Sequence, residues 1–522
     1  MSERHGIAKA AGLISVATFI SRILGYVRDM VLAFYFGATG LSDTFFIAFR
    51  IPNLMRELFA EGSMSAAVIP VLTQYHGREG MEGARRLVRA LFTFVLFAVG
   101  IVSLLGIAFT PSVVTVIAPG FRADAEKFAM TVYLARIMFP FLLFISLSAL
   151  LMGALNARRV FFMPALAPAV LNVAIIGTTV ALSGTLARPI TAVAIGVTLG
   201  GFLQFAFQTP SFLRQGYSLR PDYGFSHPGL RQVFRLVAPA TLGMAVSQIN
   251  ILVSSILASY LPAGSVTYLF YSMHLIQFPL GVFGVAMGMA VLPTLSEHAR
   301  QGDMQKLRED FAFSLRLLFF LTVPAMAGLI ALREPIVSTL FQRGRFDYGA
   351  TAGTASALLF YAAGIWSMVG VRVVASAFYS MQDTKTPAKV AVAALTANIV
   401  LSLLLMGPMS YRGLALANAL ASVVNFTLLF YFLRRRLGRV GARGILRSFL
   451  KVSVASAVMG VSGWMLLSGK LWVMPGMAME KAGLLGGGIL ISIGVYLIMC
   501  RILRSEEMGF VWGMIRDRFG RR

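Results

Sequence analysis

The sequence predicts an all-α polytopic membrane protein of about fourteen transmembrane helices, with two six-helix lobes around a central cavity and two additional C-terminal helices. The 522 residues are 57% hydrophobic and 13% charged, with a mean hydropathy of +0.78, whereas soluble domains average about 25% charged residues. Apolar stretches long enough to cross a bilayer of ~30 Å recur from about residue 10 to residue 500. Two sequence similarities also recur at one spacing, which predicts two halves.

The predicted spans follow one another with short loops between them. Their approximate centres lie near residues 22, 58, 99, 143, 172, 200, 245, 282, 322, 364, 396, 424, 458 and 491. Loops rich in Lys and Arg alternate with poorer ones, which predicts that both termini and the richer loops are cytoplasmic. Arg333, Arg343 and Arg345 are exceptions, because they would lie outside. The first span lacks an A-x-A-like cleavage site and is predicted to be retained.

The two halves are predicted from paired segments. "AAVIPVLTQY" (66–75) resembles "MAVLPTLSEH" (289–298), and "FMPALAPAVLN" (162–172) resembles "KTPAKVAVAAL" (385–395). The aligned prolines are 223 positions apart in both pairs. That interval holds an even number of predicted spans, so the halves would insert with the same orientation. Chance similarity among apolar helices is the alternative. The predicted division is residues 1–222 and 223–440 for the lobes and 441–522 for the additional helices.

The first span carries charges that a lipid-facing helix would not retain. Ser21, Arg22, Gly25, Arg28 and Asp29 fall within roughly 120° of arc on a helix. Each charge near a bilayer centre costs ~2.5–3.5 kcal/mol on insertion scales, and such residues usually face a substrate path. This face therefore predicts a water-filled cavity.

The second span, residues 42–71, is interpreted as one bendable helix with a similar charged face over roughly 140° of arc. The residues of this face are Asp43, Arg50, Asn53, Arg56, Glu57 and Glu61. Arginine matches phosphate oxygens in two-point contacts, so we expect Arg22, Arg28 and Arg56 to bind an anion. The predicted ion-pair or gating partners are Asp29, Asp43, Glu57 and Glu61. The alternative is that these charges only join helices to one another.

Composition also argues against several other classes of protein. The net charge of +25 lies mostly in short loops, as membrane topology requires, so nucleic acid is not expected as a partner. One cysteine, Cys500, excludes a disulfide framework or a thiolate metal cluster. No phosphate-binding G-x-x-x-x-G-K-[ST] loop is present, so direct use of ATP is not expected. A membrane glycosyl or phosphosugar transferase would need acidic or metal-ligating residues gathered at one interface, and a scaffold would not retain intramembrane charges.

Several segments together resemble one family. They include "SRILGYVRD" (21–29), "RIPNLMRELFAEG" (50–62), "FPLGVFGVAMGMAVLPTLS" (278–296) and "QDTKTPAK" (382–389). The chain resembles the MurJ (MviN) family of lipid II flippases, within the MATE-like multidrug/oligosaccharidyl-lipid/polysaccharide exporter superfamily.

That resemblance implies a transporter, not an enzyme, in the bacterial inner membrane. It would move undecaprenyl-pyrophosphoryl-disaccharide-pentapeptide to the periplasmic leaflet by alternating access, with the lipid tail in a groove of the last two helices. The partners implied are lipid II, membrane lipid, and proteins of cell-wall synthesis or division. An exporter of drugs or of another polyprenyl-linked saccharide is the nearest alternative.

The resemblance also assigns residues. It places Arg22, Arg28 and Arg56 on the substrate head group, Ser21 and Asn53 in the same cavity, and acidic partners at Asp29, Asp43 and Glu61. A further cavity arginine of the family falls at His274, which would be only partly cationic because the reference pKa of histidine is about 6.5. Some relatives bind sodium, for which the matching positions are Asn250, Ser254 and Asp383. One carboxylate is a thin ligand set, so no cofactor is expected beyond that sodium hypothesis.

Overall fold

The structure is a computed structural model that describes residues 2–57, 63–223 and 227–519. These residues form helices joined by short loops and contain no strand, which confirms the predicted all-α fold. The chain separates into two compact units, Met1–Val266 (unit 1) and Thr267–Arg522 (unit 2).

The described residues of unit 1 form eight α-helices. Their bounds are α1 Ser2–Phe36, α2 Gly40–Arg56, α3 Ser63–Ala108, α4 Thr110–Ile117, α5 Ala125–Ala157, α6 Phe162–Leu182, α7 Thr191–Arg214 and α8 Pro228–Ser259. Helix α5 packs against α3 and α7, while α1 packs on α6, α2 on α5 and α8 on α3. Buried aliphatic side chains of α3, α5 and α8, such as Leu87, Leu150 and Val233, form its core.

Unit 2 contains the remaining helices, the first of which begins at the boundary. Their bounds are α9 Ser265–Pro279, α10 Ala286–Gln301, α11 Met304–Ala331, α12 Arg333–Phe341, α13 Tyr348–Ala362, α14 Ile365–Ser380, α15 Lys385–Met409, α16 Tyr411–Leu437, α17 Ala442–Leu466, α18 Ala478–Ile502 and α19 Glu506–Phe519. Phe319, Trp366, Phe426 and Phe449 form an aromatic cluster where α11, α14, α16 and α17 meet.

Within the described ranges, 11 stretches are long and apolar enough to cross a membrane. Two of them, Ser265–Gln301 and Tyr348–Ser380, each join two consecutive helices. Helices α1, α2 and α8 lie outside this set, and α2 is only 17 residues long. Together these helices are consistent with about fourteen predicted spans.

The interpretation of residues 42–71 as one helix stays a prediction, because α2 ends at Arg56, α3 begins at Ser63, and residues 58–62 lie outside the described residues. Helix α3 continues through Arg78, Arg85, Arg86 and Arg89, which the sequence places in a basic loop between predicted spans, and it has a kink at Gly80, where φ is 67°. The prediction of a loop here was wrong, because these charged residues extend the helix. The charges there stabilise a helix outside the apolar segment: Arg85 Nη1 lies 3.1 Å from Glu82 Oε2, one turn away, and Arg85 Nε donates to the carbonyl of Gly216.

A buried lysine fastens the start of α18. Lys481 Nζ donates to Ser338 Oγ (2.9 Å), Gln342 Oε1 (3.3 Å) and the carbonyl oxygen of Met474 (2.5 Å). The Lys481 side chain is almost fully buried, and Ser338 Oγ also donates to the carbonyl of Trp472. These contacts join α12, the segment before α18, and α18 itself.

The predicted division into lobes at residues 222 and 440 stays a prediction, because it concerns sequence repeats, whereas the two units described above are defined by compactness.

Candidate substrate-binding site

Arg28 is held at the contact between α1 and α6. Its Nε and Nη2 atoms donate to Asp29 Oδ1 at 3.0 and 2.7 Å, and its Nη1 donates to Asn172 Oδ1 at 3.1 Å. Asn172 Nδ2 in turn donates to the backbone carbonyl of Ser21 at 3.2 Å. Asp29 is fully buried, whereas 14% of the Arg28 side chain stays exposed. This network therefore fixes the orientation of the guanidinium of Arg28 but leaves part of it accessible.

Arg22 differs from Arg28 although it lies on the same charged face of α1. Its side chain is exposed, and among the described residues it has no hydrogen-bond or ion-pair partner. An arginine facing lipid in the middle of a span would be strongly unfavourable, so an exposed one indicates a polar surface. The guanidinium of Arg28 is thus held in one orientation, whereas that of Arg22 is accessible.

Arg56 belongs to a second network at the end of α2. Its Nε donates to Asn53 Oδ1 at 3.0 Å, and Asn53 Nδ2 donates to Glu57 Oε1 at 2.9 Å. Glu57 lies 3.7 Å from Arg56 Nη2 and accepts a 2.6 Å hydrogen bond from Gln248 Nε2 on α8. Arg56 and Glu57 are both partly exposed. The network therefore links α2 to α8 and presents charged groups at an accessible surface.

Asp43 lies at the opposite end of α2 from Arg56. The two residues are 13 positions apart, which corresponds to about 20 Å along a helix. Asp43 is fully buried, and its Oδ2 accepts the backbone N–H of Gly264 at 2.7 Å and lies 3.4 Å from Lys127 Nζ. That ammonium also lies 4.2 Å from the centre of the Phe121 ring. Asp43 therefore stabilises the local structure near the start of α2.

Three partners in these networks were not identified from the sequence: Asn172, Gln248 and Lys127. The first two are amides within largely apolar helices, and buried polar groups need hydrogen-bond partners. Their sequence contexts, "AVLNVAII" and "AVSQINI", contained that signal, but not the identity of the partners. Glu61, which was also predicted here, lies outside the described residues.

His274 lies in α9 of unit 2. Its ring centre is 4.5 Å from that of Phe270, with the two ring planes inclined at 39°. The side chain is partly exposed. This contact orients the imidazole by aromatic packing, and a role for His274 toward the substrate stays a prediction.

The residues suggested for sodium do not form a ready ligand set. Both carboxylate oxygens of Asp383 are engaged: Oδ1 accepts the backbone N–H of Thr386, and Oδ2 accepts Thr386 Oγ1 at 2.8 Å and Arg436 Nη1 at 2.6 Å. The backbone hydrogen bond of Thr386, more than the charge of Arg436, holds the pKa of Asp383 below its ordinary value. Ser254 Oγ donates to the carbonyl of Asn250, four residues before it. Because Asp383 already accepts hydrogen bonds from Thr386 in the first turn of α15 and pairs with Arg436, the sodium site stays a prediction and enters no step below.

Comparisons with known proteins show which family the chain is similar to. The family model described as "Lipid II flippase MurJ" matches residues 32–482. A probable lipid II flippase MurJ of Vibrio cholerae is 36% identical over 508 residues, covering 94% of this chain and 96% of the relative. The lipid II flippase MurJ of Burkholderia cenocepacia is 32% identical over 510 residues, covering 97% and 98%.

Solved structures show the same likeness. A lipid II flippase MurJ in an inward closed conformation matches with a TM-score of 0.77 and 27% identity, covering 94% of this chain and 99% of the other. An inward-facing MATE-family multidrug transporter matches with a TM-score of 0.65, covering 83% and 99%, but at 14% identity it shows a common fold alone.

Proposed function

The chain belongs to the MurJ family of lipid II flippases, and from this premise we propose that Arg22, Arg28 and Arg56 bind the pyrophosphate-bearing head group of lipid II. The protein is a transporter of lipid II in the membrane, not an enzyme. The 14% identity to the MATE transporter gives no support to drug export, because it concerns the fold only.

The accessibility of Arg22 carries this proposal. A pyrophosphate is a compact anion, and guanidinium groups recognise phosphate oxygens through paired charged hydrogen bonds. Arg22 is exposed and has no partner among the described residues, so its donors are available to a ligand without first breaking a protein contact. We therefore expect Arg22 to form more new hydrogen bonds to the bound head group than the other two arginines do.

Arg28 and Arg56 support the same role through their fixed orientation. Arg28 is held by Asp29 and Asn172, and Arg56 by Asn53 and Glu57. Ordering a flexible side chain on binding costs about 0.5–1.5 kcal/mol, so a guanidinium that is already oriented loses less entropy. The contacts of Arg28 and Arg56 with other protein residues are therefore compatible with a role of both arginines in binding the head group.

Transport requires that the head group stabilise one conformation more than another, since a ligand of equal affinity for both shifts no equilibrium.

We propose that lipid II moves from the cytoplasmic to the periplasmic leaflet of the inner membrane and that both chain termini are cytoplasmic. The alternation of basic and neutral loops supports that orientation. Protein partners from cell-wall synthesis or division stay a prediction.

The test is lipid II export in bacteria depleted of their own flippase. Cells would express the full chain or its Arg22→Ala, Arg28→Ala or Arg56→Ala variant, and lipid II at the outer leaflet would be measured beside membrane abundance. Arg214→Ala is the matched control, because Arg214 is also exposed and has no hydrogen-bond partner among the described residues, but lies at the end of α7.

We expect Arg22→Ala to abolish export at normal abundance and Arg214→Ala to leave export intact. Arg22→Lys should recover only part of the export, since lysine retains the charge but not the two-point contact. Normal export by an Arg22→Ala protein at normal abundance would overturn the assignment of Arg22 to the head group.

A further inference from the structure

A separate cavity of about 460 Å³ lies wholly within unit 2, beside α11 and the connection between α16 and α17. Three arginines from these two elements line it, Arg308, Arg316 and Arg439. Because Arg308 and Arg316 lie on α11 whereas Arg439 follows α16, the fold gathers their charges from distant parts of the sequence.

The three arginines are not equally neutralised. Arg316 Nη1 lies 2.7 Å from Glu506 Oε2, and Arg316 Nε lies 3.7 Å from Glu507 Oε1, so this charge is balanced at the start of α19. Arg308 and Arg439 have neither a hydrogen bond nor an ion pair with any described residue. The Nε atom of Arg308 is moreover shielded from solvent. Arg308 therefore lines the cavity as a cation whose charge no described side chain balances.

The start of α17 supplies further donors at the same cavity. Gly441 precedes the helix in a left-handed conformation, with φ of 69°, and provides no side-chain cap. The first helical hydrogen bond runs from the N–H of Ile445 to the carbonyl of Gly441. The N–H groups of residues 442–444 therefore have no acceptor within the helix, and the positive end of the helix dipole lies there as well.

The charge around the cavity favours an anion. Residues 434–447 contain six arginines and no acidic residue. Glu309 is the one acidic residue among those lining the cavity, and its Oε1 accepts a 3.1 Å hydrogen bond from Gln305 Nε2. A tetrahedral phosphate group offers several acceptor oxygens at once, which suits two guanidinium groups and a helix N-terminus.

We propose that this cavity binds a phosphate group, carried by an anionic phospholipid or by a soluble phosphate compound. The cavity shares no lining residue with the proposed head-group site, because its lining residues all belong to unit 2 and Arg22, Arg28 and Arg56 all belong to unit 1. Bound phosphate would neutralise Arg308 and Arg439 and join α11 to the start of α17.

The two sources are distinguished with purified full-length protein stripped of lipid. Binding of phosphatidylglycerol, with phosphatidylcholine as the zwitterionic reference of zero net charge, is measured by native mass spectrometry, and binding of inorganic phosphate by calorimetry. The Arg308→Gln/Arg439→Gln protein is compared with Arg434→Gln/Arg443→Gln, which loses as many charges at exposed positions that do not line the cavity. We expect the first pair to weaken binding about tenfold or more and the second to change it less than about threefold.

Gly444 provides a second test that keeps every arginine. A Cβ atom added there would meet no atom within 4 Å, so substitution is sterically tolerated. Gly444→Asp places a carboxylate at the cavity and at a helix N-terminus, where it is favourable, and it should compete with phosphate. Gly444→Ala adds the same Cβ without charge and should bind as the unaltered protein does.

Binding of phosphatidylglycerol alone assigns the site to a lipid, and binding of inorganic phosphate, with competition between the two, assigns it to the phosphate group itself. Either result supports the proposal if Gly444→Asp weakens binding and Gly444→Ala does not. It is overturned if neither probe binds the unaltered protein, or if the cavity variants bind as well as their controls.

Discussion

The Arg28–Asp29 pair allows the structural and substrate-binding roles of the arginines to be separated. Replacing Arg28 by alanine removes two charged hydrogen bonds from a carboxylate that is fully buried. Replacing Asp29 by alanine leaves the guanidinium with Asn172 and with its 14% exposure. We therefore expect Arg28→Ala to be the more damaging single change, and the double replacement to cost less than the sum of the two.

The geometry sets the size of the effect. Breaking a buried ion pair by removing one partner costs about 3–5 kcal/mol, and the partial exposure of Arg28 favours the lower end. Removing Asp29 should cost about 1–3 kcal/mol, because Arg28 retains the Asn172 contact. A loss of ~3 kcal/mol corresponds to a decrease in melting temperature of about 6–12 °C for a unit of this size.

The assay is thermal unfolding of the purified variants in one detergent, followed by far-ultraviolet circular dichroism, because all 4 tryptophans lie in unit 2 and would not report on the surroundings of Arg28. Arg22→Ala is the comparison, because Arg22 is exposed and has no partner among the described residues. It should change the free energy of unfolding by less than about 0.5 kcal/mol while abolishing export. Equal melting temperatures for Arg28→Ala and Arg22→Ala, or strict additivity for Arg28 and Asp29, would refute this reasoning.

Three other changes test the remaining contacts. Gln248→Ala removes a charged hydrogen bond to Glu57 and should destabilise the protein by about 1.5–3 kcal/mol, measured as a lower melting temperature. Asp383→Asn should lower the melting temperature at pH 7, because a carboxylate of depressed pKa stabilises the folded state above its ordinary pKa. That advantage should disappear as the pH falls below about 4, through the depressed pKa. Lys481→Ala should loosen the start of α18, which limited proteolysis would detect as faster cleavage before that helix.

Each of these predictions has a matched control. Gln305→Ala is the control for Gln248, because Gln305 is exposed and its amide donates a hydrogen bond to Glu309 on its own helix. An equal shift for both variants would contradict the first prediction. A constant difference between the unaltered and Asp383→Asn proteins from pH 7 to about pH 3 would contradict the second. Lys470→Ala, in the turn before α18, should leave cleavage unchanged, and equal cleavage of both lysine variants would contradict the third.

The sequence predicted the helices and the charged surface of α1 because both depend on local information. An apolar stretch of sufficient length predicts a span, and the angular spacing of Arg22, Arg28 and Asp29 predicts a common face. Hydropathy could not show that α3 continues beyond its apolar part, because charged residues in a water-exposed helix give the same signal as a loop. Glu82 and Arg85, three residues apart, were the available indication of a helix.

The partners of the charged residues could not be predicted, because they are distant in the sequence. Arg28 and Asn172 are 144 positions apart, and Glu57 and Gln248 are 191 apart. A single sequence shows that each polar group in an apolar helix needs a partner, but only the packing of α1 on α6 determines which one. For the same reason, the contact between Asp43 and Lys127 was not predicted.

The ammonium group of Lys481 fixes the start of α18 to neighbouring segments, as a structural metal ion does in many small folds. An ammonium has three N–H groups, and each finds an oxygen acceptor, on Ser338, Gln342 and the backbone of Met474. This cation is covalently tethered to the helix that it secures, so it cannot dissociate or be extracted by a chelator. The attachment of the last long helix is consequently insensitive to the ionic composition of the surrounding solution, and the protein retains it without any supply of metal.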